Sequence, residues 1–294
     1  MEPLNTGVFL KVVETGSFAK AARELSYTQA GVSYIVNAME DKLGFSLFIR
    51  DYGGVRLTEE GKELLPLVQE LEKHKHLLEE KINDIHGLVC GRVKLLTFDS
   101  ISIHWIPGIL SRFKQEYPGV TVEITTVEDS RLAEQLILHR DADCAFFLHS
   151  PVTPELYSIP LMSEKMKAIV NRDHPLAGGG IFPVADLGKY PYIDMAFADV
   201  TGIEDIFSSR GITPHTAFCL DNDNAAMAMV SAGHGFCIFP EILLRNVPFD
   251  LVALDFDEPV NRTVSIGISS PETASRAAVR FMEVARAWVA EHEG

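Results

Sequence analysis

The first sixty residues combine short apolar stripes with capping residues, a pattern that predicts short helices. Apolar residues recur at helical spacing before Gly16, and Ser17 then precedes a second predicted helix over 18–25. Thr28 precedes a third, which ends at Gly44, a residue type that favours helix C-termini. Two helices joined by a tight turn are typical of a helix-turn-helix, whose second helix enters the major groove of DNA.

Two short β-like runs, 47–49 and 55–57, flank Asp51-Tyr52-Gly53-Gly54 and predict a hairpin, or wing, beside the helices. A long helix is predicted from Thr58 onward. If Lys75 is counted, its apolar residues follow alternating four- and three-residue steps, the spacing of a coiled-coil seam: Leu64, Val68, Leu71, Leu78, Ile82 and Ile85. This helix cannot bury such a stripe alone, so the spacing predicts a partner helix from a second copy of the chain.

After the long helix, short apolar strands alternate with amphipathic helices. Strands are predicted over 93–98, 120–127 and 144–148, and helices between them over 103–117 and 130–139. This alternation predicts an α/β fold with a parallel sheet that is covered by helices on both faces.

The charge balance differs between the two ends of the chain. The 294 residues include 26 Lys and Arg against 41 Asp and Glu, a net charge of −15 that opposes contact with phosphates. Residues 1–58 hold six of each sign and are neutral, whereas residues 91–294 hold 16 basic and 27 acidic residues. The acidic excess therefore lies in the C-terminal two thirds of the chain, which leaves the N-terminal part free for a different role.

Signals for export and for disulfide formation are missing. No uncharged apolar run reaches the ~20 residues that a membrane span needs, and residues 1–5 lack the basic start of a secretory signal. The cysteines at 90, 144, 219 and 237 form no C-x-x-C pair. We therefore expect a cytoplasmic location, no membrane partner, and inert buried thiols at Cys219 and Cys237.

Motifs for catalysis are missing as well. His74-x-His76 has no further metal ligand at useful spacing, and Gly178-Gly179-Gly180 lacks the Lys-Ser/Thr of a phosphate-binding loop. No G-x-S-x-G occurs. The sequence predicts a protein without enzymatic activity, cofactor or metal.

A dense set of motifs covers the first sixty residues. It consists of Phe9-x-x-Val12-x-x-x-Gly16-Ser17-Phe18-x-x-Ala21-Ala22-x-x-Leu25, Gln29-x-x-Val32-Ser33, Glu40-x-x-Leu43-Gly44-x-x-Leu47-Phe48-x-Arg50 and Leu57-Thr58-x-x-Gly61. These motifs resemble those of the LysR-type transcriptional regulators, and looser agreement spans nearly the whole chain. The resemblance implies a winged helix-turn-helix, a dimerising linker helix and an effector domain shaped like a periplasmic binding protein, in a homodimer or homotetramer.

The resemblance also divides the chain, and the predicted fold class is α/β. We expect a winged helix-turn-helix DNA-binding domain over 1–58, a linker helix over 59–90 and a two-lobed effector-binding domain over 91–294. Lobe I would hold about 91–161 and 267–294, and lobe II about 162–266.

Polar residues of the third predicted helix are the candidates for base contact: Thr28, Gln29, Ser33, Tyr34 and Asn37. Gln and Asn can pair bidentately with adenine, while Ser is less selective. Arg50 and Arg56 of the wing are candidates for phosphate or minor-groove contact. The alternative interpretation is an ordinary exposed polar helix face with surface charge nearby.

Doubly wound sheets bind ligands beyond the carboxyl ends of their strands, near helix N-termini. Two such turns occur early in the C-terminal part, and the resemblance places effector contacts in both and in a segment after Ile193. The candidates are Asp99, Ser100, Ile101, Ser102, Asp129, Ser130, Ala196, Phe197, Ala198, Asp199, Thr201, Asn222 and Asn224. The alternative for Ser100 and Ser130 is a role as helix N-caps, which is compatible with ligand contact.

Carboxylates at these turns bear on the chemistry of the effector. Asp99, Asp129 and Asp199 would repel an anion unless they point away or pair with a cation. We therefore expect an effector with a positive or hydrogen-bond-donating group rather than a simple dicarboxylate.

Together these features predict a non-catalytic transcriptional regulator that binds double-stranded DNA and a small-molecule effector. The alternative is a small-molecule binding protein or enzyme on a binding-protein fold, whose helix-turn-helix serves protein contact.

Overall fold

The computed structural model describes residues 5–51, 54–85, 91–127, 129–149, 151, 153–196, 203–245 and 247–293. These residues separate into two units, one within 1–86 and the other within 87–294. In the described ranges, no helix combines the length and the apolar character that crossing a membrane requires.

The N-terminal unit contains the predicted helices and hairpin. Its elements are α1 (Thr6–Thr15), α2 (Phe18–Glu24), α3 (Gln29–Leu43), β1 (Phe48–Asp51), β2 (Gly54–Leu57) and α4 (Glu59–Ile85). The side chains of Ser17 and Thr28 accept hydrogen bonds from N–H groups in the first turns of α2 and α3. Gly44 ends α3 with a φ of 80°, a left-handed conformation that glycine adopts without steric cost. The predicted caps are thus confirmed.

An apolar core joins the hairpin to the helices. The ring of Phe48 in β1 lies 5.4 Å from that of Phe9 in α1 and 5.8 Å from that of Phe18 in α2. The Glu40 side chain of α3 accepts the N–H groups of Leu47 and Phe48 at 2.6 and 3.0 Å. The hairpin therefore has a defined position beside α3.

The apolar stripe of α4 divides into two parts. Val68 is buried in the core of the N-terminal unit and Leu64 packs against that core. Farther along, Leu71 and Leu78 are 53% and 61% exposed, so this part of the stripe is not covered by the chain's own described residues. Leu67 and Ile82 are exposed too, whereas the side chain of Ile85 lies outside the described residues.

The C-terminal unit alternates helices and strands as predicted, with several further strands. Its helices are α5 (Asp99–His104), α6 (Ile106–Glu116), α7 (Ser130–Leu138), α8 (Ile203–Ser208), α9 (Asp223–Ser231) and α10 (Arg276–His292). Its strands are β3 (Gly91–Thr97), β4 (Val120–Thr126), β5 (Cys144–Phe147), β6 (Tyr157–Val170), β7 (Ile181–Phe182), β8 (Pro191–Met195), β9 (His215–Leu220), β10 (Cys237–Pro240), β11 (Val252–Phe256) and β12 (Asn261–Ile268).

The sheet is mixed, so the expectation of a purely parallel sheet was wrong. Strand β3 runs parallel to β4 and β5, but β12 is antiparallel to both β5 and β6. The sheet order is β4-β3-β5-β12-β6-β11-β7, and β10 also pairs with β6. The antiparallel pairs arise because the chain returns through β12 after it has built the second half of the sheet.

Strand β6 runs through both lobes of this unit, and β12 pairs with its first part, from Tyr157 to Lys165. Ile266 and Ile268 of β12 belong to an apolar core with α6 and α10, which we call lobe I. Met166 and Ala168 of β6 belong to a second core with β7, β8 and α8, which we call lobe II. The register between the two strands shifts at Val264/Ser265, within the part of β12 that belongs to lobe I. The two-lobed architecture predicted from the resemblance is confirmed.

The helix predicted over 103–117 is divided at Trp105 into α5 and α6. Pro107 stands in the first turn of α6, where its missing N–H breaks no helical hydrogen bond. Since it could not donate within a continuous helix, the chain begins a new helix there. The first of the two helices, α5, begins at Asp99, directly after β3.

Candidate DNA-binding surface and effector site

The exposed face of α3 carries most of the predicted DNA contacts. Thr28 is exposed and its hydroxyl caps the helix, so this side chain has a structural role. Gln29 and Asn37 are exposed, Ser33 is half-buried, and Tyr34 is 76% exposed. All of them lie on the helix that the helix-turn-helix presents to solvent.

A guanidinium of the hairpin lies against this face. Arg50 Nη2 donates to Oδ1 of Asn37 at 2.6 Å, and Arg50 Cζ lies 4.4 Å from the centre of the Phe18 ring. An arginine is a donor only, so the amide oxygen of Asn37 must face it and the amide N–H group faces elsewhere. In this arrangement Asn37 offers donors, whereas a bidentate contact with adenine also needs its oxygen. The role of Phe18 as a platform has no signal in the sequence.

Arg56 is exposed on β2, across the hairpin from Ile49. It therefore lies on the same hairpin as Arg50 but in the opposite strand. The hairpin thus contributes one cation from each strand.

In the C-terminal unit, strands β6 and β12 meet where the two lobes join, and we call them the hinge strands. They carry a buried ion pair beside one predicted effector residue. Arg262 of β12 donates Nε and Nη2 to Oε2 of Glu164 in β6, at 2.7 and 2.6 Å. Both side chains are 4% exposed, and the two residues are direct partners across the strands. Arg262 Nη2 also lies 3.3 Å from the hydroxyl of Ser100 in α5. Ser100 is therefore joined to the hinge between the lobes.

Two carboxyl groups, one from each lobe, also meet this cluster. Asp223 begins α9 in lobe II and Asp99 begins α5 in lobe I. The pKa of Asp223 is raised to about 6, chiefly by burial and also by the charge of Asp99, while the charge of Arg262 acts in the opposite direction. The charge of Asp99 in lobe I therefore acts on Asp223 in lobe II.

The remaining effector candidates have varied environments. Ile101 is buried in the core of lobe I, and the buried Ser102 hydroxyl has no partner among the described atoms. Asn222 caps α9 by accepting the N–H of Ala225 at 2.9 Å, while Asn224 and Ala196 are exposed. Phe197, Ala198, Asp199 and Thr201 lie outside the described residues.

The alternative role of Ser100 and Ser130 as N-caps was wrong. Phe98 occupies the cap position of α5, and Asp129 caps α7 by accepting the N–H of Arg131 at 2.7 Å. The Ser130 hydroxyl, fully buried, instead accepts the N–H of Leu148 at 3.2 Å, just after β5. Both serines come too late in the chain to cap, because each already lies within the first turn of its helix.

The cysteine prediction holds for one of the two residues named. Cys237 is buried and burial raises its thiol pKa, whereas Cys219 is exposed on β9, so the expectation of a buried thiol there was wrong. The reason is that both faces of β9 are exposed in this single chain. Within the described residues, no group of three or more His, Cys, Asp or Glu is placed to hold a metal ion.

The sequence reasoning missed Glu164, Asp223 and Arg262. Arg262 lies 98 positions from Glu164 and 162 from Ser100, so no local motif connects them. None of the three belongs to a motif or to a recognisable pattern of neighbouring residues, so the sequence offered no signal for them.

Comparison with known proteins agrees with this architecture. Residues 6–62 match the family described as "Bacterial regulatory helix-turn-helix protein, lysR family", and residues 86–290 match the "LysR substrate binding domain". The chain is 33% identical over 282 residues to the "Uncharacterized HTH-type transcriptional regulator YvbU" of Bacillus subtilis (strain 168), covering 95% of this chain and 96% of that protein. It is 26% identical to the HTH-type transcriptional activator CmpR of Synechocystis sp., covering 85% and 83%.

A solved structure has the same fold. Full-length CbnR, crystallised with its target DNA, has a TM-score of 0.70 at 22% identity, covering 96% of this chain and 98% of that chain. A helix-turn-helix unit followed by a two-lobed α/β unit defines a class of ligand-responsive transcriptional regulators. The chain belongs to the LysR family of this class. It is a DNA-binding transcriptional regulator with an effector-binding domain, in a family whose members oligomerise.

Proposed function

We propose that the chain reads its operator through α3 and the adjacent hairpin, and that an effector at the junction of the lobes changes its activity. The observation that carries this proposal is the contact between Arg50 and Asn37, which holds a guanidinium of the hairpin against the exposed face of α3. Phosphate contact fixes a protein on DNA and base contact gives specificity. A cation beside an exposed polar helix face provides both.

The two kinds of contact fall to different residues. Residues near the N-terminus of a recognition helix reach base edges, which favours Gln29 and Ser33 as base readers. Arg50 and Arg56, on the two strands of the hairpin, would contact phosphates or enter the minor groove. Because Asn37 presents donors, it would act together with Arg50 on acceptor atoms of the DNA.

The linker helix α4 offers a surface on which a second copy of the chain would bind. Among its described side chains, four apolar ones are exposed and are spaced four and seven residues apart, as on one face of a coiled coil: Leu67, Leu71, Leu78 and Ile82. A second α4 would cover them and would place two helix-turn-helix units at a defined separation. That separation is what allows a dimer to read two half-sites.

The effector would contact both lobes at their junction. Ser100 of lobe I, Asp223 of lobe II and Arg262 of the hinge surround this point. A ligand that binds both lobes favours one of their arrangements and so shifts the balance between two states of the regulator. We further propose that the protein acts in the cytoplasm, where chromosomal DNA is available, and that it has no catalytic role.

The test is a competition assay of the full-length chain with the DNA upstream of its own gene and with random duplex of equal length. A specific regulator should prefer its operator by about 10³-fold or more, and salt should weaken both complexes. The rival hypothesis is a binding protein or enzyme whose helix-turn-helix contacts protein. Equal affinity for both duplexes with every metabolite tried, together with ligand binding by the C-terminal unit, would favour that rival.

A further inference from the structure

Tyr34 of α3 is the most exposed large apolar side chain among the described residues, at 76%. It lies on the side of α3 opposite the buried residues of that helix. Val32 and Val36, two positions before and after it, are both 0% exposed, and two positions along a helix correspond to about 200° of rotation. The aromatic ring of Tyr34 therefore takes no part in the core of the N-terminal unit and is available to a partner outside the chain.

The neighbours of Tyr34 on this face belong to the surface that we assign to DNA. Ala30 is exposed one turn before it, and Asn37 is exposed one turn after it. Asn37 accepts a hydrogen bond from Arg50 Nη2 at 2.6 Å, which places a charge of the hairpin at this end of the face. Tyr34 thus stands between a small apolar residue and a polar pair.

The outer face of α3 has little charge of its own with which to attract phosphates. From 29 to 41 the helix contains no Lys or Arg, and Asp41 is exposed two turns after Tyr34 on the same face. DNA phosphates repel this carboxylate, so the N-terminal half of α3 is the part that suits the groove, as in other recognition helices. The apolar group that a base presents in the major groove is the C5-methyl of thymine.

We propose that Tyr34 is a specificity-determining residue whose ring packs against the C5-methyl group of a thymine in each half-site of the operator. This inference rests on the proposed function, in which α3 reads bases, and it adds an apolar contact to the polar ones assigned to Gln29 and Ser33. Aromatic side chains in helices lean towards the preceding turn, where Ala30 and Gly31 are too small to obstruct the ring. The ring therefore extends over the part of α3 that reaches the bases.

The test compares an operator duplex with the same duplex in which deoxyuridine replaces every thymine, a change that removes only methyl groups. The operator is the segment upstream of the chain's own gene that the full-length protein protects in footprinting, and affinities are measured by fluorescence anisotropy at constant salt. The wild type should bind the deoxyuridine duplex about fourfold more weakly for each half-site, as expected for one buried methyl group.

The variants assign this preference to the ring. In Tyr34→Ala, binding to the thymine duplex should weaken and the ratio of the two affinities should fall towards one. Tyr34→Phe keeps the ring and should retain the wild-type ratio. Replacing thymines one at a time should localise the loss that depends on Tyr34 to one thymine in each half-site. Because each variant is measured on both duplexes, general effects of deoxyuridine on the DNA cancel in the comparison.

The control is Tyr27→Ala, which removes a tyrosine that is 52% exposed just before α3 and should leave the thymine preference unchanged. Melting temperatures show that each variant is folded. Equal binding of both duplexes by the wild type would overturn the inference, as would a thymine preference that Tyr34→Ala retains in full. Equal losses in Tyr34→Phe and Tyr34→Ala on operator and random DNA would assign the hydroxyl to a phosphate and would also overturn it. In each case, a preference for operator over random duplex would leave the proposed function standing, and its absence would contradict both.

Discussion

Arg262 directs two of its N–H groups to a single oxygen of Glu164, and the second oxygen of that carboxylate is buried without a partner among the described atoms. The two residues face each other on the antiparallel strands that connect the lobes. A buried ion pair of this kind contributes little net stability when intact, because desolvation offsets the attraction. Removing one partner is costly, because a charge is then left buried alone.

The hinge pair should therefore respond differently to single and double substitution. Arg262→Met should lower the free energy of unfolding by about 3–5 kcal/mol, and adding Glu164→Met should restore much of that loss. Urea unfolding of the C-terminal unit measures both. Arg92→Met is the control, since it removes an exposed pair with Glu123 and should cost no more than about 1 kcal/mol. A double variant less stable than Arg262→Met alone would contradict this account.

Asp223 should make stability depend on pH. Its pKa of about 6 in the folded protein lies above the ordinary value of about 4, so the folded state holds a proton that the unfolded state has lost. Stability from this group is therefore present at low pH and is lost as pH rises from about 4 to about 6. Asp99 and Arg262 act on this carboxyl, and Asp223 in turn raises the pKa of buried Cys237.

The side chain of the Asp223→Asn variant cannot ionise. The melting temperature of the variant should therefore exceed that of the wild type at pH 8, and this difference should be a few degrees larger at pH 8 than at pH 4.5. Asp173→Asn, exposed and in the same unit, should show no such trend. The measurement is a pair of thermal scans at each pH without ligand. A difference that is constant or decreases with pH would show that Asp223 ionises normally.

Residues that read bases and residues that contact phosphates should have different effects on DNA binding when they are substituted. Gln29→Ala with Ser33→Ala should weaken operator binding by about 1–3 kcal/mol for each base that is no longer read, with little effect on random DNA. Arg56→Ala should weaken binding to all sequences and lower the slope of affinity against salt by about one unit. Affinities measured by fluorescence anisotropy at several salt concentrations distinguish the two. Unchanged operator affinity of the Gln29→Ala, Ser33→Ala variant would exclude these residues as readers.

The exposed seam of α4 should decide oligomerisation. Burial of each leucine in a helix pair is worth roughly 1.5–3 kcal/mol, and a carboxylate in its place would be desolvated and repelled by its copy. Leu71→Asp with Leu78→Asp should therefore dissociate the α4 interface and abolish operator binding. Gln69→Asp, an exposed position between the apolar residues, adds an acidic charge to the same helix and should change neither property. Light scattering gives the mass of the assembly. An unchanged mass with normal operator binding would contradict dimerisation through this seam.

Local signals in the sequence were sufficient for the N-terminal unit. The caps at Ser17 and Thr28 and the glycine at 44 were predicted because each depends on the geometry of a few neighbouring residues. The division of the predicted helix at Trp105 was missed, although Pro107 was a visible reason for it. A proline in a first helical turn and a proline that interrupts a helix look the same in an apolar pattern.

The apolar stripe of α4 also shows that local sequence signals do not reveal which neighbours cover a helix. Spacing predicted one continuous apolar stripe, and the structure divides it between Val68, buried in its own unit, and the exposed Leu71 and Leu78. Periodicity reports that a side chain is apolar and on a given face. It does not report which neighbour covers that face, because this depends on how α1 and the hairpin fold back against α4.

The sequence by itself determined the class of this protein, the elements of its helix-turn-helix and the alternation of strands and helices that follows. These depend on local backbone preferences and on apolar periodicity, which are written in consecutive residues. Only the tertiary structure decided the composition of the proposed effector site, since Ser100, Glu164, Asp223 and Arg262 come from four elements distant in the chain. Electrostatic interactions depend on distance in space and on burial, and both exist only once the two lobes have folded around their shared strands.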